Sequence, residues 1–264
     1  MINFAAICPH PALIVPQVGG SQMSILKKTV DGMEELANEL KKHKPETIVV
    51  ISPHGPMRYD KFTVNLEERL KGSFANYGGD SDNYEFKNDI AVARQMFSFL
   101  KEKQIPVEII RETMLDYGTL VPLHYLISKL EQIPNVIPLT FTSLNWSTHE
   151  IFGKAIGSIL NQQEHNIALI ASADLSHRLT EDAPAGFSPY GIKFDHALID
   201  LLKKSELEKI KNLNPDFCDE AGECGLRSII IALSALTDLK HSFKQYSYEG
   251  PIGVGYLVGE WKIS

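Results

Sequence analysis

Thr47-Ile48-Val49-Val50-Ile51-Ser52-Pro53-His54 reads as a strand without a polar face. β-Branched residues favour extended backbone and pack well on a pleated surface. A run apolar on both sides of the two-residue alternation belongs in a sheet covered on both faces, not in a half-solvated one. Pro53 brings no N–H and ends the ladder, so His54 stands at the carboxyl edge of the strand. Two other stretches read alike: Ala5-Ala6-Ile7-Cys8-Pro9-His10 and Leu169-Ile170-Ala171-Ser172-Ala173-Asp174-Leu175-Ser176-His177.

Between and beyond these strands the apolar spacing turns helical. Leu26, Val30, Met33, Ala37 and Leu40 mark a helix over 21–43, and further helices are expected over 89–103, 123–130, 149–161, 192–204, 207–212 and 224–236. Strands are expected at 4–8, 47–52, 62–66, 107–110, 136–141 and 167–171, with a closing hairpin of 243–248 and 254–262. Alternating βα units with doubly apolar strands imply an α/β fold, a single domain over 1–264 whose mostly parallel central sheet carries helices on both faces.

The chain has 264 residues, 44% of them hydrophobic, enough for one substantial core without staples, and no linker-like segment divides it. A formal charge of −7 argues against nucleic acid as the main partner, since phosphate binding needs a dense cationic face. Apolar runs stay at strand length, short of the roughly 20 residues that span a bilayer. Met1-Ile2-Asn3-Phe4 runs straight into a strand without the pattern of a secretory signal, so a cytoplasmic location is expected. Cys8, Cys218 and Cys224 form neither a disulfide framework nor a CxxC pair and are read as reduced thiols.

In open parallel sheets ligands bind beyond the carboxyl ends of the strands. Of nine histidines, His10, His54 and His177 pass that filter, while His43, His149, His165, His196 and His241 are read as surface. A proline before His10 and before His54 restrains the backbone leading into each ring, as a metal ligand requires. The best segment for a third ligand is Glu220-Ala221-Gly222-Glu223-Cys224-Gly225-Leu226-Arg227, where a carboxylate and a thiol stand side by side and Arg227 is placed to pair with a buried carboxylate or an anionic substrate. No GxSxG, GxGxxG or GxxxxGK[ST] occurs.

Taken in order, Pro9-His10-Pro11, Ser52-Pro53-His54-Gly55, Leu115-Asp116-Tyr117-Gly118-Thr119-Leu120-Val121-Pro122-Leu123, residues 172–177 and residues 222–227 resemble the LigB-like class III extradiol dioxygenases and their Memo-like relatives over nearly the whole chain. The resemblance implies an oxidoreductase that opens a catechol-like ring with O2 at a non-haem Fe(II), zinc being the alternative metal. His10, His54 and Glu223 would hold it, with Cys224, where Memo-like proteins place a cysteine, as the alternative third ligand. His177 would be the acid–base group with Asp174 orienting it, and Tyr117, His124 and Arg227 would contact substrate. Tyr117 stands where these dioxygenases commonly carry histidine. The alternative function is a Memo-like metal-binding or interaction protein without ring cleavage. A small aromatic substrate, O2 and a homo-oligomeric partner are the expected company.

Overall fold

The computed structural model describes residues 1–79 and 84–264. In chain order the elements are β1 Ile2–Cys8, α1 Pro16–Gly19, α2 Lys27–His43, β2 Thr47–Ser52, β3 Phe62–Asn65, β4 Arg69–Gly72, β5 Tyr84–Lys87, α3 Ile90–Glu102, β6 Val107–Ile110, α4 Tyr117–Ile127, β7 Asn135–Thr140, α5 Trp146–Asn161, β8 Ile167–Ser172, α6 Gly191–Lys203, α7 Leu207–Lys211, α8 Pro215–Ala221, α9 Leu226–Ala235, β9 His241–Glu249 and β10 Tyr256–Ile263.

One central sheet runs in the order β7-β2-β8-β1-β10-β9. Its first four strands are parallel, in register at Thr47↔Asn135, Thr47↔Ile167 and Ala5↔Leu169, while β10 and β9 close it as an antiparallel edge. The two faces bury different side chains of one strand, as an apolar period-2 run demands. Val49, Ile51, Leu169 and Ala171 join the core under α3, α5, α6 and α9; Ile48, Val50, Ala168 and Ile170 join the core under α2 and α4. The expected α/β architecture, helices on both faces of a mostly parallel sheet, is the observed one. No helix among the described residues is long and apolar enough to cross a membrane.

Several details differ from the sequence reading. The strands at 62–66 and 107–110 pair with each other in a separate parallel ribbon rather than joining the main sheet. The antiparallel ribbon of β4 and β5 escaped pattern reading because Arg69-Leu70-Lys71-Gly72 is too short and too polar to announce a strand. The helix expected over 21–43 begins at Lys27, after a 3-10 stretch entered through Gly20 at φ 49°. His149, read as surface, is fully buried, its Nε2 accepting from the Thr142 N–H and its Nδ1 donating to Asn145 O.

The helix expected over 123–130 starts six residues earlier, at Tyr117, because Asp116 caps it by accepting from the Thr119 N–H at 3.0 Å. Pro122 therefore lies inside α4 instead of before it. Its missing N–H leaves the carbonyl four residues back, that of Gly118, without its helical donor. The Ser172 hydroxyl, at the end of β8, fills that vacancy at 2.5 Å.

Candidate metal centre

Because β1 and β2 both flank β8, the two Pro-His strand ends emerge on either side of Ser172. His10 Nδ1 lies 2.9 Å from Ser172 Oγ. Ser172 has one proton and gives it to Gly118 O, so its oxygen accepts from His10 and the imidazole carries its hydrogen on Nδ1. The lone pair of Nε2 is thereby turned toward His54, whose own Nε2 is 3.1 Å away. A proline in a helix thus decides which nitrogen of a strand-end histidine is basic.

The third arm comes from the turn between α8 and α9. Gly222 closes α8 at φ 59°, and its carbonyl accepts the His177 N–H at 3.0 Å, tying the segment to the loop after β8. Gly225 lies so close to that loop that a Cβ there would come within 2.2 Å of Ala173 Cβ. Between the two glycines, Cys224 places its Sγ 3.8 Å from His10 Nε2 and 3.9 Å from His54 Nε2. All three donor atoms lie within 4.8 Å of one another.

Burial pushes the His10 pKa down to about 3 and that of His54 down to about 4, the neighbouring imidazole adding to the shift at His54. Both rings are therefore neutral at pH 7. Burial pushes the Cys224 thiol up, reinforced by the charges of Asp174 and Glu223. The lone pair of His10 Nε2 faces His54 Nε2 at 3.1 Å, and a cation bound between the two neutral rings would take the place of whatever hydrogen lies between them. Donors at about 2.0–2.1 Å for nitrogen and 2.3 Å for sulfur around a tetrahedral ion stand roughly 3.3 and 3.6 Å apart, near the separations here. The residues fit a divalent metal.

Asp174 is fully engaged beside them: Oδ1 accepts the His10 backbone N–H at 2.8 Å and Oδ2 lies 3.4 Å from His10 Nε2. Burial raises its pKa to about 6. It positions His10; the expected role of orienting the His177 ring is taken by Leu175 O, which lies 3.2 Å from His177 Nδ1. That contact makes Nε2 the basic nitrogen of His177. The His177 loop is held from below by Asp195, a buried carboxylate that accepts the Ser176 N–H at 2.9 Å and the Tyr248 hydroxyl at 2.7 Å; burial lifts its pKa to about 7.

Glu223, expected as the third ligand, is not in the cluster. Its carboxylate accepts the Leu226 N–H at 2.7 Å, capping α9, and lies 3.7 Å from Arg227. Arg227 also lies over the Phe141 ring, at 5.7 Å. His124 is about 10 Å along α4 from Tyr117 at 1.5 Å per residue, hydrogen-bonded to the Tyr84 hydroxyl at 2.6 Å. Tyr117 does reach the cluster, its hydroxyl 2.8 Å from His54 Nε2. Of the supporting residues, Ser172 and Gly118 were read from sequence only as parts of the motif stretches, without a supporting role, and Asp195 not at all. The unusual Pro122, six residues after a potential Asp cap, is the signal that could have exposed the first of them. A second grouping, Glu39, His43 and Glu260, has its carboxylates engaged by Lys42, Lys262 and Tyr246.

A family model described as the catalytic LigB subunit of aromatic ring-opening dioxygenase matches residues 4–259. Protein CA_C1420 of Clostridium acetobutylicum is 32% identical over 266 residues, covering 97% of this chain but 57% of that protein, so the chain spans little more than half of that relative. The 3,4-dihydroxyphenylacetate 2,3-dioxygenase of Escherichia coli is 21% identical over 280 residues, covering 98% of this chain and 97% of that enzyme. Uncharacterized protein JW3007 from Escherichia coli K12 shares the fold, with a TM-score of 0.66 at 15% identity over 97% of this chain and 98% of that one. With the match running from β1 into β10, the chain belongs to the LigB family of catalytic subunits of aromatic ring-opening dioxygenases.

Proposed function

We propose that this chain is a metal-dependent oxidoreductase that opens a small aromatic diol with O2, its metal held by His10, His54 and Cys224. The observation that carries the reading is the 3.1 Å approach of two neutral imidazole nitrogens next to a thiol. A redox-active divalent metal, Fe(II) being the ion expected of such chemistry, would bring both reactants to one centre and pass charge between them. The chain's own residues supply the rest. His177 offers Nε2 as the base for a substrate hydroxyl proton and returns it to the product. Asp174 and Ser172 hold His10 in its direction and tautomer. The backbone bonds of Ala173 N–H to Cys8 O and of His177 N–H to Gly222 O tie the 172–177 loop to the segments that carry His10 and Cys224.

A second reading is favoured by the thiol itself. Soft thiolate suits zinc or copper better than the carboxylate that Fe(II) oxygenases use, which supports a Memo-like metal-binding protein without ring cleavage. Metal analysis of the purified protein, with oxygen uptake measured on a catechol panel after anaerobic Fe(II) loading, separates the two. Oxygen consumption with ring-opened product, lost in His177→Ala at unchanged metal content, supports the first. Stoichiometric metal with no uptake on any diol supports the second. Metal lost in Glu223→Ala and kept in Cys224→Ala would reject the donor set.

A further inference from the structure

Tyr117 is the first residue of α4, and its phenol oxygen sits 2.8 Å from His54 Nε2, the nitrogen that also faces His10 Nε2 at 3.1 Å and Cys224 Sγ at 3.9 Å. Its ring is stacked on His54, centroids 4.4 Å apart at 26°, and meets His10 edge-on at 5.7 Å. The backbone beneath it has no room to move. A Cβ on Gly118 would approach Ser52 Oγ to 2.5 Å and His54 Cδ2 to 3.0 Å. Asp116, the cap of α4, also accepts the Ser52 hydroxyl. One set of contacts therefore fixes the phenol and the imidazole together.

Donor atoms sharing one cation at about 2.0–2.3 Å stand roughly 2.8–3.7 Å from each other. The phenol oxygen meets that condition with His54. A phenol that only donated a hydrogen bond to Nε2 would compete with the cation for a single lone pair, whereas a phenol bound to the same cation would not. We infer that Tyr117 is a further protein ligand of the metal centre, bound through its phenol oxygen. As the oxygen–cation bond forms, the O–H bond breaks and its proton passes to water, with no change in oxidation state. The inference rests on the donor set proposed above. Its consequence is that the centre carries an aryl oxygen of its own, and an incoming aromatic diol enters by exchanging one aryl oxygen for another.

The test uses Fe(III) and Cu(II), whose phenolate complexes absorb in the visible through charge transfer, loaded into the full chain. Metal per chain, absorption and resonance Raman spectra are recorded for the wild type, Tyr117→Phe and Cys224→Ser. The expected result is phenolate ring modes in the wild type and in Cys224→Ser, and their complete loss in Tyr117→Phe with metal still bound. Should Tyr117→Phe bind no metal, Tyr117→His returns a donor without a phenolate and regains the metal with those modes absent; failure to regain it counts against ligation. Identical spectra for the wild type and Tyr117→Phe overturn the Tyr117 assignment and leave the centre standing. Absence of metal from the wild type, or uptake indifferent to His10→Ala, overturns both.

Discussion

Ser172→Ala is the most informative single change in this molecule, because one hydroxyl serves both a helix and a metal-centre histidine. Its removal leaves Gly118 O without the donor that Pro122 cannot supply and leaves the His10 Nδ1–H without an acceptor, both at buried residues. An orphaned buried polar group costs about 1–3 kcal/mol. At roughly 2–4 °C per kcal/mol for a chain of this size, the melting temperature of the metal-free protein should fall by about 4–24 °C for the two groups together. Loss of a partner behind a ligating imidazole typically lowers metal affinity by about 10–100-fold, readable by competition with a chromophoric chelator. Adding Pro122→Ala to Ser172→Ala restores an N–H to the helix. That double variant should recover the carbonyl's share of the stability while metal affinity stays low, since His10 still lacks its acceptor. Wild-type metal affinity in Ser172→Ala would refute the tautomer argument, and recovery of affinity in the double variant would refute the division of labour.

Glu223→Ala should lower stability by about 1 kcal/mol, the usual loss of a helix cap, and should leave metal content unchanged; calorimetry with metal analysis checks both, and an unchanged melting point with lost metal would restore Glu223 as a ligand. Asp195→Asn tests a buried carboxyl whose pKa is raised from 3.8 to about 7. Between those values the folded chain keeps a proton that the unfolded chain has lost, so wild-type stability is full below pH 3.8, falls with rising pH at about 1.4 kcal/mol per unit, and levels off above pH 7. The stability of Asp195→Asn relative to wild type should therefore climb from pH 4 to 7 in urea unfolding and then stay flat; a pH-independent difference would show that the carboxyl is not desolvated.

The strands were legible because both faces of each are apolar, so that Val49 and Val50 signal the same element although they enter different cores. His10 and His54 were legible because a proline after a strand marks where the ladder stops. What pattern could not decide was which of two adjacent residues, Glu223 or Cys224, faces the histidines. That depends on the handedness of the turn at Gly222 and on how closely Gly225 approaches Ala173, and neither is encoded in the identity of the pair. Which way His124 and Arg227 face was illegible for a related reason. Proximity in sequence to Tyr117 and Glu223 says nothing about direction, and the helices that carry them turn their side chains toward Tyr84 and Phe141. Asp195 was invisible because its partner, Ser176, is 19 residues away and offers only a backbone N–H.

The position of β1 between β8 and β10 governs how the chain must be made as well as how it rests. β1 meets neither of its sheet neighbours until the residues paired with it, Ile167 to Ser172 on one side and Gly259 to Trp261 on the other, have left the ribosome. At roughly 5–20 residues per second, β1 waits on the order of 10–30 s with two hydrogen-bonding edges bare and both faces apolar. Such non-local pairing slows folding and prolongs exposure to self-association. It also sets a checkpoint. Residue 224 must follow residues 10 and 54 into place, so a nascent chain that has not reached it lacks the thiol arm, and the donor cluster can form only after β8 has been made.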